Sequence, residues 1–247
     1  VDCTRSATQV AGTRMAFPPE KITLLGSLLL DGSQWMTRGS TTDFGAEGRE
    51  ITRQGQTADY LATAARNMLE LSTGREEELR ALAARASDQP APPLEGNRHF
   101  WRSDIMTHHR KAYYTSARMF SSRLANTDNP CNSEGLLSHH LADGCNIVLR
   151  TGREYDDIFP VWDWQKIPGT TVEQKPRLTG SPRSQGQRGF VGGVSDGTYG
   201  LAAFDLARGD LTVRKSWFFF DREYVCLGAG ISCDSGNRVV TTVNQCN

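Results

Sequence analysis

The sequence predicts an α+β chain in which a helical block precedes a run of antiparallel strands, giving two domains or layers. Three observations carry this. Apolar residues recur at three- and four-residue spacing through residues 1–90, the period shifts towards two in residues 91–247, and a proline-rich stretch at 88–96 separates the two regimes.

Pro18 and Pro19 precede the first expected helix, in which Ile22, Leu25, Leu28 and Leu29 share a face and Asp31-Gly32 forms the end. Thr57 is placed to cap a second helix with the stripe Leu61, Ala64, Ala65, Met68 and Leu69. Gly74 interrupts, and residues 76–86, rich in Ala, Leu, Glu and Arg, make a third. Short connections imply that these helices pack antiparallel. Strands are expected at 113–119, 146–149, 200–204, 211–219 and 238–243, with Arg208-Gly209-Asp210 as a turn and Asp196-Gly197 as a tight hairpin. Gly192-Gly193 reads as a turn. Residues 239–247 are strand-like and need ladder partners, so more sheet is expected to follow in a parent molecule.

Composition narrows the function classes. The chain has 247 residues, 38% of them hydrophobic and 23% charged, which argues against disorder. Its longest apolar stretches, at 22–30 and 217–220, fall well short of the roughly 20 residues that span a bilayer, so no membrane partner is expected. A formal charge of zero leaves no bulk electrostatic footprint for nucleic acid. Only Lys21, Lys111, Lys166, Lys175 and Lys215 among 28 basic residues are lysines. Arginine suits bidentate recognition of carboxylate or sulfate, although GC-rich coding produces the same bias. The start at Val1, with neither initiator Met nor signal peptide, implies a removed leader or a piece of something longer. Six cysteines without CxxC spacing predict up to three disulfides in an oxidising compartment. Cys226 with Cys233 and Cys131 with Cys145 are candidate pairs. No metal-ligand set and no cofactor-binding motif is legible: GxSxG, the phosphate-cradling loop and the dinucleotide fingerprint are all missing.

The strongest local candidate is Gly48-Arg49-Glu50-Ile51-Thr52-Arg53. On a helix Arg49 and Arg53 share a face; in a loop they can still converge on one anion. Two guanidiniums held together repel unless an acidic ligand or acidic neighbours compensate, and Asp43, Glu47 and Glu50 are the neighbours at hand. A second cluster, Thr127-Asp128-Asn129-Pro130-Cys131-Asn132-Ser133-Glu134, can orient arginines, bond sugar hydroxyls or simply satisfy its own backbone. Trp162-Asp163-Trp164 would offer a sugar-stacking platform on a strand, or contribute to a core. The pairs His108-His109 and His139-His140 lack the spacing of a helical metal site and point to structural or supporting roles.

Read in order, these segments resemble the polysaccharide lyase family that contains hyaluronan lyase, chondroitin AC lyase and xanthan lyase. The resemblance rests on Trp35-Met36-Thr37-Arg38-Gly39, the Arg49/Arg53 motif, and the stretch from His108-His109-Arg110 through Tyr114, Ser116, Arg118-Met119 and Ser122-Arg123. It continues through Asp143-Gly144, Tyr155, Ile158-Phe159-Pro160-Val161-Trp162-Asp163-Trp164 and Ile167-Pro168-Gly169-Thr170-Thr171. Phe190-Val191-Gly192-Gly193-Val194-Ser195-Asp196-Gly197-Thr198-Tyr199-Gly200 and Lys215-Ser216-Trp217-Phe218-Phe219-Phe220 complete it.

The resemblance implies a secreted enzyme longer than this chain. Residues 1–90 would be the end of an incomplete α/α toroid and residues 91–247 the start of a large antiparallel β-sandwich, with an acidic polysaccharide held between them. The remaining segments of the parent enzyme would complete the site. Such lyases cleave by β-elimination at a uronic acid and leave a 4,5-unsaturated product. The alternative is a non-catalytic relative or remnant that only binds acidic carbohydrate. In the family an Asn neutralises the uronate and a Tyr, assisted by a His, moves the proton; these lie upstream of the arginine motif, and no residue here takes their roles. Arg49 and Arg53 match the family's two arginines, which contact the sugar and orient the tyrosine. The family's Glu-x-x-Asn-x-Glu segment corresponds to Asp128, Asn132 and Glu134, with Asp128 in place of glutamate and one extra residue before Asn132. Arg49, Arg53, Asp128 and Glu134 are therefore the expected catalytic set, and Asn132, Arg49, Arg53 and Trp162 the expected substrate contacts. Gly135 and Ser138 stand where the family usually has Asn and Gly, and the extra cysteines, Cys145 among them, imply a disulfide-bearing branch.

Overall fold

After α1 (Asp2–Gln9), Pro19 opens α2 (Pro19–Ser27), at a position where the amide hydrogen it lacks would have had no partner. From Leu28 to Gly32 the backbone widens into a π turn. Leu29 and Leu30 then face the core, while Leu24 and Leu28 each stand 60% exposed, so the expected stripe through Leu28 is displaced by the turn. The short strands β1 (Thr37–Arg38) and β2 (Thr41–Thr42) pair antiparallel. After α3 (Phe44–Glu47), α4 (Asp59–Leu69) buries Leu61, Ala64, Ala65 and Met68 and packs on α5 (Glu76–Arg85), which buries Leu79, Leu82 and Ala83. Ala58, not Thr57, caps α4; the Thr57 hydroxyl accepts from the Asp59 amide only at 3.4 Å. The Asp88 carboxylate accepts from the Ser40 amide at 3.0 Å and the Ser40 hydroxyl at 2.5 Å, so the expected linker begins as a fastened turn.

The computed structural model describes residues 1–55, 57–128, 131–178 and 183–247. Asn129 and Pro130 of the acidic loop lie outside the described residues. The chain forms two compact units, one of Val1–Thr42 with Gly55–Pro93 and one of Asp43–Gln54 with Leu94–Asn247. The helices α1, α2, α4 and α5 belong to the first. Residues 43–54, which by sequence sit inside the helical half, belong to the second.

The second unit holds two four-stranded antiparallel sheets and a two-stranded one. Strands β3 (Gly96–Phe100), β4 (Ile105–His109), β5 (Tyr114–Arg118) and β6 (Cys145–Leu149) follow one another in space as in sequence. β7 (Thr171–Glu173) instead pairs with the distant β12 (Val239–Thr241). The other large sheet is β8 (Val191–Ser195), β9 (Gly200–Arg208), β10 (Leu211–Phe219) and β11 (Tyr224–Cys233), with β11 at its edge. Alternation buries Leu211, Val213, Trp217 and Phe219 of β10 on one face, and the last three meet Phe204 and Leu206 of β9, Met106 of β4 and Ala117 of β5 in one cluster. A second cluster, built around Phe44, Ile51, Tyr114, Tyr155 and Trp162, lies against the site. The expected mixture of helices and antiparallel sheets is what the chain adopts.

Two further expectations fail. Gly192 and Gly193 lie inside β8 rather than in a turn; a Cβ on Gly193 would stand 2.7 Å from the Leu201 carbonyl oxygen, so glycine permits a close strand approach there. All six cysteines are free thiols. Cys226 and Cys233 lie seven residues apart on β11, roughly 20 Å along an extended strand and far beyond disulfide reach. Cys145 is buried on β6 while Cys131 is exposed, which separates the other candidate pair.

Candidate functional site

The segment that carries the arginines is fixed to the second unit before it reaches them. Asp43 caps α3, its Oδ1 accepting from the Gly45 amide at 2.7 Å and its Oδ2 from the Tyr114 hydroxyl of β5 at 2.6 Å. Arg118, at the end of β5, donates to the Gly45 carbonyl. Asp43 and Tyr114 are fully buried, and that burial raises the pKa of both groups. Phe44 meets Tyr155, Trp162 and Phe159 edge-on at 4.9, 5.3 and 5.5 Å, and Ile51 is buried beside them. From this anchor the chain enters a 3₁₀ turn at Gly48–Thr52, with Arg53 extended at its end.

The turn and the acidic loop meet in a clamp. Arg49 donates from Nη1 to Asp128 Oδ2 at 2.6 Å and from its amide to Asp128 Oδ1 at 3.1 Å. Arg53 donates from Nε and Nη2 to the two oxygens of Glu134, both at 2.8 Å, a bidentate fork. Glu134 also lies 3.7 Å from Arg49 Nε, and Arg53 Nη1 lies 3.0 Å from Glu50. Gly135 has a φ of +62°, and a Cβ there would stand 2.7 Å from the Arg49 Cα. The loop thus rests on the arginine backbone at a point only glycine allows. Asn132 donates from Nδ2 to Glu134 Oε2 at 2.9 Å and accepts the Glu134 amide at 2.9 Å.

Arg53 and then Asn132, by hydrogen bonding, hold the Glu134 carboxyl down at about 2, while the bonds to Glu134 and Asp128 raise Arg53 and Arg49 respectively. A group so acidic is a carboxylate near neutrality, held in the fork of the Arg53 guanidinium. Two cations face Asp128, Glu134 and Glu50, so acidic neighbours already offset the repulsion between the arginines. A ligand is not needed for that purpose. Asp128 and Glu134, not Asp43 or Glu47, do most of the offsetting. Both guanidiniums remain partly exposed, at 28% and 40% of their side chains.

Arg49, Arg53, Asp128, Asn132 and Glu134 therefore converge. Trp162 does not join them: it is 5% exposed, its indole donates to the Gln245 carbonyl at 3.0 Å, and Trp164 lies at right angles to it 5.3 Å away. Its faces are taken by the core, which leaves no platform for a sugar. Sequence reasoning missed the anchoring roles of Tyr114 and Arg118, and it missed Glu47. Burial first, then the charges of Asp43 and Glu50, push the Glu47 carboxyl up to about 7. The only sequence signal was the acidic spacing of Asp43, Glu47 and Glu50.

An all-antiparallel unit with a solvent-facing arginine–carboxylate clamp matches, over residues 95–247, the model of polysaccharide lyase family 8, super-sandwich domain. The chain belongs to that family. It is 37% identical to chondroitinase-AC of Pedobacter heparinus over 97% of this chain and 35% of that protein. A chondroitinase AC lyase solved with oligosaccharides superposes with a TM-score of 0.91 at 34% identity, covering 98% of this chain and 37% of that one. The Streptomyces coelicolor A3 chondroitin AC lyase in complex with chondroitin sulphate gives 0.84 at 26% identity, covering 99% and 40%. The chain thus spans about a third of the length of the curated relative most fully matched here.

Proposed function

We propose that the protein containing these residues is a lyase that cleaves an acidic polysaccharide of the chondroitin or hyaluronan type. The reaction is β-elimination at a uronic acid: the carboxylate is neutralised, the C5 proton is removed, and the 4-linked oxygen departs to leave a 4,5-unsaturated sugar. In this reading Arg49 and Arg53 contact the sugar around the scissile bond and orient the proton-transferring group, which on the family's pattern comes from an upstream segment of the parent enzyme and from no residue of this chain. Asp128 and Glu134 hold the guanidiniums, and Asn132 adds a contact at the rim. Residues 1–90 are read as the end of an α/α toroid and residues 91–247 as the start of a β-sandwich in a secreted enzyme.

The convergence of Arg49 and Arg53 on Glu134, with both guanidiniums still open to solvent, is the observation that supports this most. A planar guanidinium held in place by carboxylates presents its remaining N–H bonds in a defined direction, as recognition of a sugar acid requires. The test is the ultraviolet absorbance of the conjugated uronide when the full-length protein is mixed with chondroitin sulfate or hyaluronan. Arg53→Ala should lower turnover by about tenfold to a hundredfold, with no more fall in the unfolding midpoint than loss of the exposed Glu134 pair brings. Reducing ends released without the chromophore would mean hydrolysis and end the proposal; unchanged turnover in the variant would remove the arginine from it.

A further inference from the structure

The two stems of the acidic loop meet over a buried polar cluster centred on Asp143. Asp143, fully buried, lies 2.6 Å through Oδ2 from His140 Nδ1 and accepts Arg208 Nη2 on Oδ1. Arg208 stands at the end of β9, on the other large sheet, with its guanidinium 5.1 Å from the Phe120 ring. The same Nη2 donates to the His139 carbonyl at 3.2 Å, and that carbonyl also accepts Asn126 Nδ2 at 2.9 Å. Asn126 is two residues before Asp128. On the exit stem the Ser138 hydroxyl donates to the Gly135 carbonyl at 2.7 Å, one residue after Glu134, and lies 3.4 Å from the Thr127 hydroxyl.

Resting on the reading of the clamp given above, we propose that Arg208, Asp143 and His140 are positioning residues for it. They fix both stems of the loop and so decide where Asp128 and Glu134 hold the arginines. The arrangement is a poor device for stability alone. A desolvated ion pair seldom outperforms apolar packing of the same volume, and His139 Nδ1 and Arg208 Nε are buried with no hydrogen-bond partner among the described residues. What such a network supplies is direction. Arg208 is the one member that comes from a different sheet, so it ties the loop to a rigid strand rather than to the loop's own backbone.

The test is a double-mutant cycle on β-elimination by the full-length protein. Arg208→Gln should lower kcat by about tenfold with KM within about threefold, because orientation rather than uniform binding is lost. In the Arg53→Ala background the same change should cost clearly less than about tenfold, since one of the two guanidiniums being positioned is gone. Arg208→Lys, which keeps the charge and a donor, should recover part of the rate, and it carries the cycle should Arg208→Gln not fold. Full multiplication of the two effects, or kcat unaltered by Arg208 substitution, overturns the positioning role while leaving the clamp reading intact. Arg53→Ala without effect on kcat overturns both.

Discussion

Glu134 and Glu47, on opposite sides of the arginine turn in sequence, are driven in opposite directions by their surroundings, to about 2 and about 7. A glutamate in an unfolded chain titrates near ~4.3. Glu134 therefore contributes to stability above that value, and its contribution is lost as the pH falls towards 2. Glu134→Gln should lower the thermal midpoint at neutral pH, and the gap from wild type should narrow on acidification; a gap that stays constant in melting curves would refute the assignment. Glu47 works the other way. Its protonated form suits the native state, so nothing is lost below ~4.3; a penalty grows as the pH rises from there to about 7 and is complete above it. Glu47→Gln should leave stability near pH 4 unchanged and raise it by about 1–3 kcal/mol near pH 8. Urea unfolding at the two pH values checks this, and an equal gain at both would sink it. The arginines were legible because their spacing survives any backbone path. The Glu47 shift was not, because it depends on burial that its neighbours in sequence do not announce.

At the level of elements, legibility tracks how plainly a segment alternates. β10 reads as a strand because every second residue from Leu211 to Phe219 is buried. β4 is buried at every position and includes two histidines, and β11 is a glycine-containing edge strand exposed along nearly all its length, so neither shows a period. The 3₁₀ turn at Gly48–Thr52 was read as either a helix or a loop, and the answer lay in Asp43, Tyr114 and Arg118, which fasten it from a distant strand. The contact between the loop and this turn gives a prediction. Gly135→Ala forces a positive φ on a residue with a side chain and drives its Cβ into the Arg49 backbone. Turnover in the full-length protein should fall by about tenfold or more, alongside a loss of about 1–2 kcal/mol of stability from the strain. Wild-type kcat in that variant would show that the loop need not rest on the arginine segment.

For the whole chain, the helix-then-sheet order was readable from the change of period, but the thiols were not. Counting cysteines suggested disulfide staples, and the folded chain instead leaves all six as free thiols. Ellman titration of the native protein should find the exposed Cys3, Cys131, Cys226 and Cys246 reactive and Cys145 silent until denaturation, since burial raises its thiol far above the ordinary range. Reductant should leave the melting temperature where it was; a fall would reveal a bridge. The course of the backbone has one more consequence. The chain quits the helical unit at Thr42, lends residues 43–54 to the sheets, and returns at Gly55, whereas the family match begins only at residue 95. A clone cut to that match would express Asp128 and Glu134 stripped of their cations. The smallest portable form of this site is two peptides, the sheet fragment and a dodecamer supplied in trans.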